Sequence, residues 1–505
     1  MNTEEKSGLL RKIPVRVKIG CLFAVLASVI LFVIVPLFDN AQVTEVTQVV
    51  TEESIRELTR YHSLEKADLS GSDCYEAIFA YAEAHPDVDV TYTVPLGDAV
   101  ISSKASSATV SGGVFSANSV TDALEKLPSL RSIDFVLTDL SCEDIDAIRL
   151  AYPQIELTYS VSVLGEGIKN DAKTLDLTSM EVADADEVLQ KLVYFPNLNK
   201  VILSAASGKS NLDLNEARDF IVKLPEQIEA EYSFELYGQI FSTESERIEF
   251  ENVEIGNDGI DVFYTALDIM PRCTYVKLAD CGIDSETMAK FRDTYPDVSI
   301  VWRVYFGGKC HCLTDAETIR AIWVLKDSNS SELKYCTKVK YMDIGHNGRG
   351  VFTDISFMAY MPDLEIVILS GSYISDTSPL ANCTKLRWLE LLYCGLVTDI
   401  SALKNATQLE CLNISYTHVA DLTPILDCPL KRFVYYGSGL NNPQRKEIAD
   451  ALGEDCWTTF DGLNPYMKGW RYSTSEGRRA DACDQYLEVR KVFDYDNDPY
   501  GVTQS

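Results

Sequence analysis

Apolar residues between Val339 and Leu440 recur in one short frame of three, separated by three and then two positions. The frame occurs five times, with first residues 25, 22, 23 and 21 positions apart: Val339/Met342/Ile344, Leu364/Val367/Leu369, Leu386/Leu389/Leu391, Leu409/Leu412/Ile414 and Leu430/Phe433/Tyr435. Alternating apolar positions place their side chains on one face of a strand, and stacked copies give a continuous core. The pattern therefore predicts five parallel strands whose frame residues face inward.

A second motif repeats with the same period. It is an aspartate followed two positions later by serine or threonine. It occurs four times, spaced 22, 23 and 22 positions: Asp354, Asp376, Asp399 and Asp421. Such an aspartate can accept a backbone N–H at the start of a short helical turn; a row of calcium-binding aspartates is the alternative. Two motifs on one period resemble the internalin-type leucine-rich repeats of bacteria. The resemblance implies an α/β solenoid with parallel strands on its concave side and helices and turns on its convex side.

A longer repeat, of roughly 70 residues, fills residues 58–308. Four prolines, 67, 72 and 71 positions apart, end helix-periodic stretches, and an alternating segment ending in glycine follows each: Pro86 with Gly97, Pro153 with Gly165, Pro225 with Gly238, and Pro296 with Gly307. Each module is predicted to run strand–helix–strand–helix–strand, with right-handed crossovers between parallel strands. The half-modules resemble degenerated ribonuclease-inhibitor-type repeats; a row of small separate α/β domains is the alternative. Residues 102–118 are predicted as a surface loop or a weak strand.

The N-terminus predicts a membrane anchor. Residues 1–18 hold five basic and two acidic residues, and the next twenty, from Ile19 to Phe38, carry no charge. A run of this length spans a bilayer as a helix. Because the basic flank precedes it, residues 1–18 are predicted as a cytoplasmic tail, 19–38 as a single transmembrane helix and the bulk as extracellular. A cleaved signal peptide is the alternative, although the run exceeds a usual signal core and Asp39-Asn40-Ala41 is a poor cleavage site.

Four other segments connect or close these arrays. Residues 41–57 are polar and lack turn signals, so they are predicted as a stalk. Residues 309–338 are predicted as a helical bridge into the leucine-rich repeats of residues 339–440. The aromatic-rich residues 441–495 are predicted as a C-terminal cap over the open end of the array. Residues 496–505 are predicted as a disordered tail.

Composition and motifs limit the classes of function that we expect for this chain. With 46% hydrophobic and 24% charged residues, the chain is ordinary globular material. Its formal net charge of −31 repels phosphate backbones, so no nucleic-acid partner is expected. None of the five histidines stands in a nucleophile–base motif, and no phosphate loop or dinucleotide fingerprint occurs. No catalytic residue and no cofactor is therefore predicted; a hydrolase would need two facing carboxylates in a deep acidic pocket.

The fourteen cysteines of an exported chain would ordinarily predict disulfides. Cys336, Cys383 and Cys428, however, each fall just before a repeat head, which indicates one buried slot filled three times by a small apolar thiol. Free core thiols are therefore predicted there. Cys310-His311-Cys312 lacks two further ligands at a known spacing, so no metal site is predicted.

Side chains between the frame residues should point to the concave sheet face. Those assigned to a binding site are Tyr341, Asp343, Ile366, Ile368, Trp388, Glu390, Leu392, Asn413, Arg432, Val434 and Tyr436. Because the apolar residues of this set are surrounded by polar ones, the pattern predicts a partner site for a protein or cell-envelope ligand. The alternative is internal packing, in which the N-terminal array or the C-terminal cap covers the face. A structural component of an envelope assembly, with no separate ligand, is the second functional hypothesis.

Overall fold

The computed structural model describes residues 42–112, 114–136, 138, 140–205, 207–348, 350–459, 470–471, 482–499 and 501–504. The chain divides into two compact units, the first comprising Met1–Leu212 and Lys223–Glu231, the second Asp213–Val222 and Tyr232–Ser505. The predicted cytoplasmic tail and transmembrane helix lie outside the described residues. Within the described ranges, no helix has the length and hydropathy needed to cross a bilayer.

The first unit alternates three-stranded parallel sheets with antiparallel hairpins. The sheets are β1 (Glu45–Thr47), β2 (Lys66–Asp68) and β3 (Asp89–Thr91); β6 (Ser107–Ser111), β7 (Ser132–Val136) and β8 (Glu156–Thr158); and β11 (Thr174–Asp176), β12 (Lys200–Ile202) and β13 (Glu229–Glu231). The hairpins are β4 (Thr93–Leu96) with β5 (Ala99–Ser102) and β9 (Ser160–Val163) with β10 (Glu166–Lys169). Four helices connect the strands: α1 (Tyr75–Ala84), α2 (Ala117–Glu125), α3 (Cys142–Ala151) and α4 (Ala185–Lys191). Short 3₁₀ turns occupy Ser54–Arg60, Val182–Asp184 and Leu192–Tyr194.

The second unit starts with the same elements and ends in a seven-stranded parallel sheet. It opens with α5 (Leu214–Ile221), the hairpin β14 (Ser233–Leu236) and β15 (Gln239–Ser242), the sheet β16 (Arg247–Glu251), β17 (Tyr275–Ala279) and β18 (Ser299–Val301), and the hairpin β19 (Arg303–Phe306) and β20 (Cys310–Leu313). The helices α6 (Asp261–Asp268) and α7 (Ser285–Thr294) connect β16 to β17 and β17 to β18.

The seven-stranded sheet keeps its strands in sequence order and in parallel register. Its strands are β21 (Thr318–Arg320), β22 (Tyr341–Asp343), β23 (Ile366–Ile368), β24 (Trp388–Glu390), β25 (Cys411–Asn413), β26 (Arg432–Val434) and β27 (Trp457–Thr459). Short 3₁₀ turns at Asp327–Asn329, Ser331–Tyr335, Ser356–Tyr360, Ser378–Asn382, Ser401–Asn405 and Thr423–Ile425 connect the strands. The helices α8 (Asn442–Leu452) and α9 (Asp484–Val492) follow.

The sheet has two more strands than the five frames predict. Ile319 of β21 pairs in register with Met342, so the array begins one repeat early, inside the predicted helical bridge. That prediction was wrong because Ala321 is a weak third frame residue and residues 315–325 also fit a helical period. At the other end, β27 joins the sheet beside β26.

Three other predictions can be compared with the structure, and two of them were wrong. The predicted stalk contains β1, which pairs with β2, and Val50 and Ile55 are buried in the core. Residues 102–118, predicted as a surface loop or a weak strand, contain β6, which pairs with β7, so the strand alternative was correct. Each module's single final strand is instead a third sheet strand followed by a hairpin. At Gly97 the chain reverses with φ 59°, and a Cβ would come within 2.5 Å of the Phe115 ring, so glycine is required for that turn.

The repeated aspartates cap the 3₁₀ turns. Asp376 and Asp399 each accept the backbone N–H of the serine two residues later, both at 2.8 Å, and the serine hydroxyl as well. Hydrogen bonds from Thr423 likewise lower the pKa of Asp421 below its ordinary value. The predicted capping role is therefore confirmed.

We expect Asp399→Ala to reduce the free energy of unfolding by about 1 kcal/mol, because the Ser401 N–H loses its acceptor at the start of the turn. Chemical denaturation measures this loss. Lys404→Ala, in the same turn, should change the free energy by less than about 0.5 kcal/mol. If added calcium stabilises the wild type but not Asp399→Ala, the capping account fails.

The predicted cysteine slot is present in the structure. Cys336 and Cys383 are fully buried and Cys428 is half-buried, and all three are free thiols. The Cys383 thiol lies 3.7 Å from the Met361 carbonyl oxygen, and the Cys428 thiol lies 3.4 Å from that of Ala406. Burial raises the pKa of Cys383 to about 12. These thiols fill equivalent positions in successive repeats.

Candidate functional site

Each strand of the seven-stranded sheet presents its first and third side chains opposite the central frame residue. We call the surface formed by these first and third positions the concave face. The register aligns Tyr341, Ile366, Trp388, Cys411 and Arg432 in one row and Asp343, Ile368, Glu390, Asn413 and Val434 in the other. The sequence therefore predicted correctly which of these side chains share a face.

An apolar cluster at the centre of this face is buried by the chain itself. We call residues 470–471 and 482–504 the C-terminal segment. Its apolar side chains pack against Ile366, Ile368, Trp388, Cys411 and Val434, and they are Trp470, Cys483, Tyr486, Val489 and Phe493. The Trp388 and Trp470 ring centroids are 4.5 Å apart, and Trp388 is only 2% exposed. The structure thus has the arrangement in which the C-terminal part covers the face.

A buried carboxylate connects the face to the segment. Glu390 is completely buried and receives a bidentate ion pair from Arg471, at 3.0 Å from Nε and 2.7 Å from Nη2. It also accepts hydrogen bonds from the indole N–H groups of Trp388 at 3.1 Å and Trp470 at 2.9 Å, and from the Ser370 hydroxyl at 3.0 Å. A buried charge requires this degree of compensation. Two of these five hydrogen bonds come from Trp388 of β24 and from Ser370, which lies just after β23.

Two more polar contacts flank the cluster. Asp343, 3% exposed, accepts a hydrogen bond from the Tyr495 hydroxyl and another from the Gly345 N–H at 3.1 Å. Burial raises the pKa of Asp343, and the hydrogen bond from Tyr495 partly opposes that rise. On the other side, Arg387 forms two hydrogen bonds with Glu488 of α9, at 2.6 and 3.0 Å.

The Arg387–Glu488 pair gives the segment a modest dependence on acid. The hydrogen bond from Arg387 holds the pKa of Glu488 below its ordinary value. A depressed pKa contributes stability that is present above the unfolded value of about 4.3 and is lost as pH falls through the folded pKa. Because Glu488 is partly exposed, we expect Glu488→Gln to cost less than about 1 kcal/mol at pH 7. Hydrogen exchange of α9 between pH 6 and pH 3 should therefore be less pH-dependent in this variant, and equal pH dependence would contradict the pair's role.

Thr503 and Gln504 also contact the strands β21 and β20 of the second unit. The Thr503 N–H donates to the Arg320 carbonyl at 2.9 Å, and the Arg320 N–H donates to the Thr503 hydroxyl at 2.7 Å. Gln504 forms an isolated parallel bridge with His311. The prediction of a disordered tail was therefore wrong for these residues. The segment also lies across the sheet face and not only at the open end of the array, which corrects the predicted position of the cap.

Some predicted site residues make their contacts elsewhere. Leu392 is fully buried, Arg432 lies over the Trp457 ring, and Tyr436 packs edge-on against Tyr416. Sequence reasoning, in turn, missed Arg471 and Glu488 as partners of the face. The apolar spacing of Tyr486, Val489 and Phe493 on α9 was the signal that could have identified the covering helix.

The structure offers little support for metal binding. On β20, Cys310 and Cys312 are buried on one side, whereas His311 points to the other side, so the three cannot converge on one ion. Among the residues that the structure describes, no group of three or more His, Cys, Asp or Glu side chains is placed to hold a metal ion.

The period of 21–25 residues, the in-register parallel strands and the aspartate turns define a leucine-rich-repeat fold. No family model and no curated protein matches the chain. Among solved structures, it is similar to internalin C2 of Listeria monocytogenes (15% identity, 25% of this chain, TM-score 0.22), and it spans only 54% of that structure's length. It is also similar to internalin F of that organism (14% identity, 84% of this chain and 81% of that one, TM-score 0.23). A leucine-rich-repeat protein of Leptospira interrogans is similar as well (13% identity, 85% and 98%, TM-score 0.23).

Proposed function

We propose that this protein is a membrane-anchored extracellular leucine-rich-repeat protein that binds another protein through its concave face. In the state described above, the C-terminal segment occupies that face, and a partner would take its place. The observation that carries the proposal is the burial of Trp388 and Glu390 beneath a segment of polypeptide. Export follows from residues 19–38 and the basic residues before them.

The face has the features of a surface that holds a peptide. Without the segment, the Glu390 carboxylate would keep, among the described residues, the Ser370 hydroxyl and the Trp388 indole as side-chain partners. It would also lie beside an exposed apolar patch that includes Ile366 and Ile368. Aromatic anchors around a paired charge are characteristic of energetic centres in protein interfaces. A partner is therefore expected to supply a cation to Glu390 and apolar side chains to the patch.

The segment has the features of a ligand that can leave. Its helix α9 has nine residues, and helices shorter than ~12–15 residues are marginal in water. The N-terminal residue Cys483 provides no side-chain cap. Because α9 lacks internal support, its order depends on Tyr486, Val489 and Phe493 packing against the face. Detachment therefore requires the loss of these contacts and of the hydrogen bonds between Thr503 and Arg320, and it leaves the seven-strand pairing intact.

Capture from envelope extract tests this function, with wild type, Arg471→Met and the double variant Arg471→Met/Ile366→Asp compared. Arg471→Met weakens the segment, so we expect a protein that this variant retains at least tenfold better than wild type. Added peptide of residues 482–505 should block the capture, and Ile366→Asp should abolish it. Arg490→Met, in the same C-terminal segment but paired with the exposed Asp496, is the matched control and should behave as wild type.

The second candidate function is a structural component of an envelope assembly without a separate ligand. The same burial of Trp388 favours it, because a permanently covered face has no partner to bind. Equal capture by wild type and Arg471→Met, unaffected by the peptide, would support this alternative and contradict the binding proposal.

A further inference from the structure

Two buried cysteines of the second unit are in direct contact. Cys312 lies on β20, and Cys336 directly follows the 3₁₀ turn Ser331–Tyr335. Their sulfur atoms are 3.7 Å apart, and both side chains are fully buried. This contact differs from those of Cys383 and Cys428 in the same slot, whose thiols face backbone carbonyl oxygens. Cys336 thus faces a second thiol where the later repeats face backbone oxygen.

We infer that Cys312 and Cys336 form a disulfide when the chain folds under oxidising conditions. A disulfide is about 2.0 Å long, so the two sulfurs must approach by a little under 2 Å. The backbone of β20 is held by its pairing with β19, and Cys336 is held by the hydrogen bond from its N–H to the Leu333 carbonyl.

The oxidant is a small-molecule or protein disulfide, and the reaction is two successive thiol–disulfide exchanges. One cysteine thiolate attacks one sulfur of the oxidant, the S–S bond of the oxidant breaks, and its other sulfur leaves as a thiol; the attacked sulfur stays bonded to the cysteine in a mixed disulfide. The second cysteine thiolate attacks that mixed disulfide, forms the Cys312–Cys336 bond and releases the second thiol. The oxidant is reduced to two thiols, which take up the two protons that the cysteines lose.

The disulfide is expected to form during folding, before the core closes around the two thiols. The hydrogen bond with Cys312 and burial keep the pKa of Cys336 well above its ordinary value. A protonated and inaccessible thiol is a poor nucleophile, so exchange is fast only before the core closes. The bond would close a loop of 24 positions and tie the last hairpin to the turn before β22. Restricting the unfolded chain in this way stabilises the folded one.

Export of the chain, which is part of the proposed function, would supply the oxidising compartment. The test does not depend on export. Full-length protein in mild detergent is unfolded, refolded in a mixture of reduced and oxidised glutathione, quenched with acid and alkylated in denaturant without reductant. We expect two fewer alkylated thiols per chain than in a sample refolded with reduced glutathione alone. Peptide mapping should find Cys312 linked to Cys336.

Two variants make the result specific. Cys336→Ser should restore alkylation of Cys312, and Cys383→Ser, another fully buried thiol of the same slot, should leave the link intact. Full alkylation of Cys312 and Cys336 in the oxidised wild type would overturn the inference. A link from Cys336 to Cys310 in equal yield would do the same, because Cys310 lies on the same buried side of β20. If Cys336→Ser does not fold, the wild-type peptide map alone decides the matter.

Discussion

Arg471→Met is expected to release the C-terminal segment from the concave face. The substitution removes the one cation that pairs with the fully buried Glu390 among the residues the structure describes, and it retains hydrogen bonds from two indoles and one hydroxyl. Removing one partner of a buried ion pair costs about 3 kcal/mol or more, because the remaining charge stays buried and uncompensated. We therefore expect hydrogen exchange in α9 to accelerate by about a hundredfold or more. The strands β22 to β25 should retain their protection.

Two control variants test whether loss of the ion pair causes the faster exchange in α9. Arg490→Met removes the same side-chain type from the same segment, but its partner Asp496 is exposed, so the cost should be under about 1 kcal/mol. In the double variant Glu390→Gln/Arg471→Met no buried charge is unpaired, and much of the loss should be recovered. If exchange in α9 is unchanged by Arg471→Met, the ion pair does not hold the segment.

Trp388→Ala is expected to lower the free energy of unfolding of the second unit by about 3–5 kcal/mol, as for other buried aromatic side chains. The sequence left open whether Trp388 belongs to an exposed partner site or to a covered face; at an exposed site, truncation changes stability by less than about 0.5 kcal/mol. The structure buries it between Trp470 and Tyr486, with ring centroids at 4.5 and 6.2 Å. The two interpretations therefore predict losses in the free energy of unfolding that differ severalfold.

Chemical denaturation followed by tryptophan fluorescence and circular dichroism measures this difference. Tyr360→Ala, at a site 57% exposed in a 3₁₀ turn, is the matched control and should change the free energy by under about 0.5 kcal/mol. A small effect of Trp388→Ala, similar to the control, would mean that the side chain is accessible. That result would restore the open binding surface and remove the covering segment from the account.

The sequence predicted the direction of side chains on the sheet because strand geometry alone determines it. Leu389 is a frame residue, so Trp388 and Glu390 must lie on the opposite face. The strand β21 escaped prediction because its frame is Ile319 with Ala321, and alanine carries too little hydrophobic signal. The hairpins were missed because alternation does not reveal where a chain reverses; in the structure the reversals occur at residues with positive φ, such as Gly97.

The cover over the face could not be predicted by the same means. Local periodicity shows that Trp388 and Tyr486 each lie on an apolar face, but they are 98 positions apart and no repeat relates them. Pairing two such faces depends on specific charges. Glu390, an acidic residue among apolar face positions, was a local indication that a cation must come from elsewhere in the chain. As a site for an external partner, the face remains a prediction.

The most direct test of the central claim is exchange of residues 482–505 after the chain has been cut between Arg471 and these residues. A protease site introduced within residues 472–480 of the full-length chain separates α9 covalently from the sheet. We expect the fragment to co-elute with the rest of the chain and to exchange with a labelled peptide of residues 482–505 while β22 to β25 stay protected. A fragment that leaves at once, or exchanges only when the sheet unfolds, would contradict the claim that the concave face holds a replaceable polypeptide ligand.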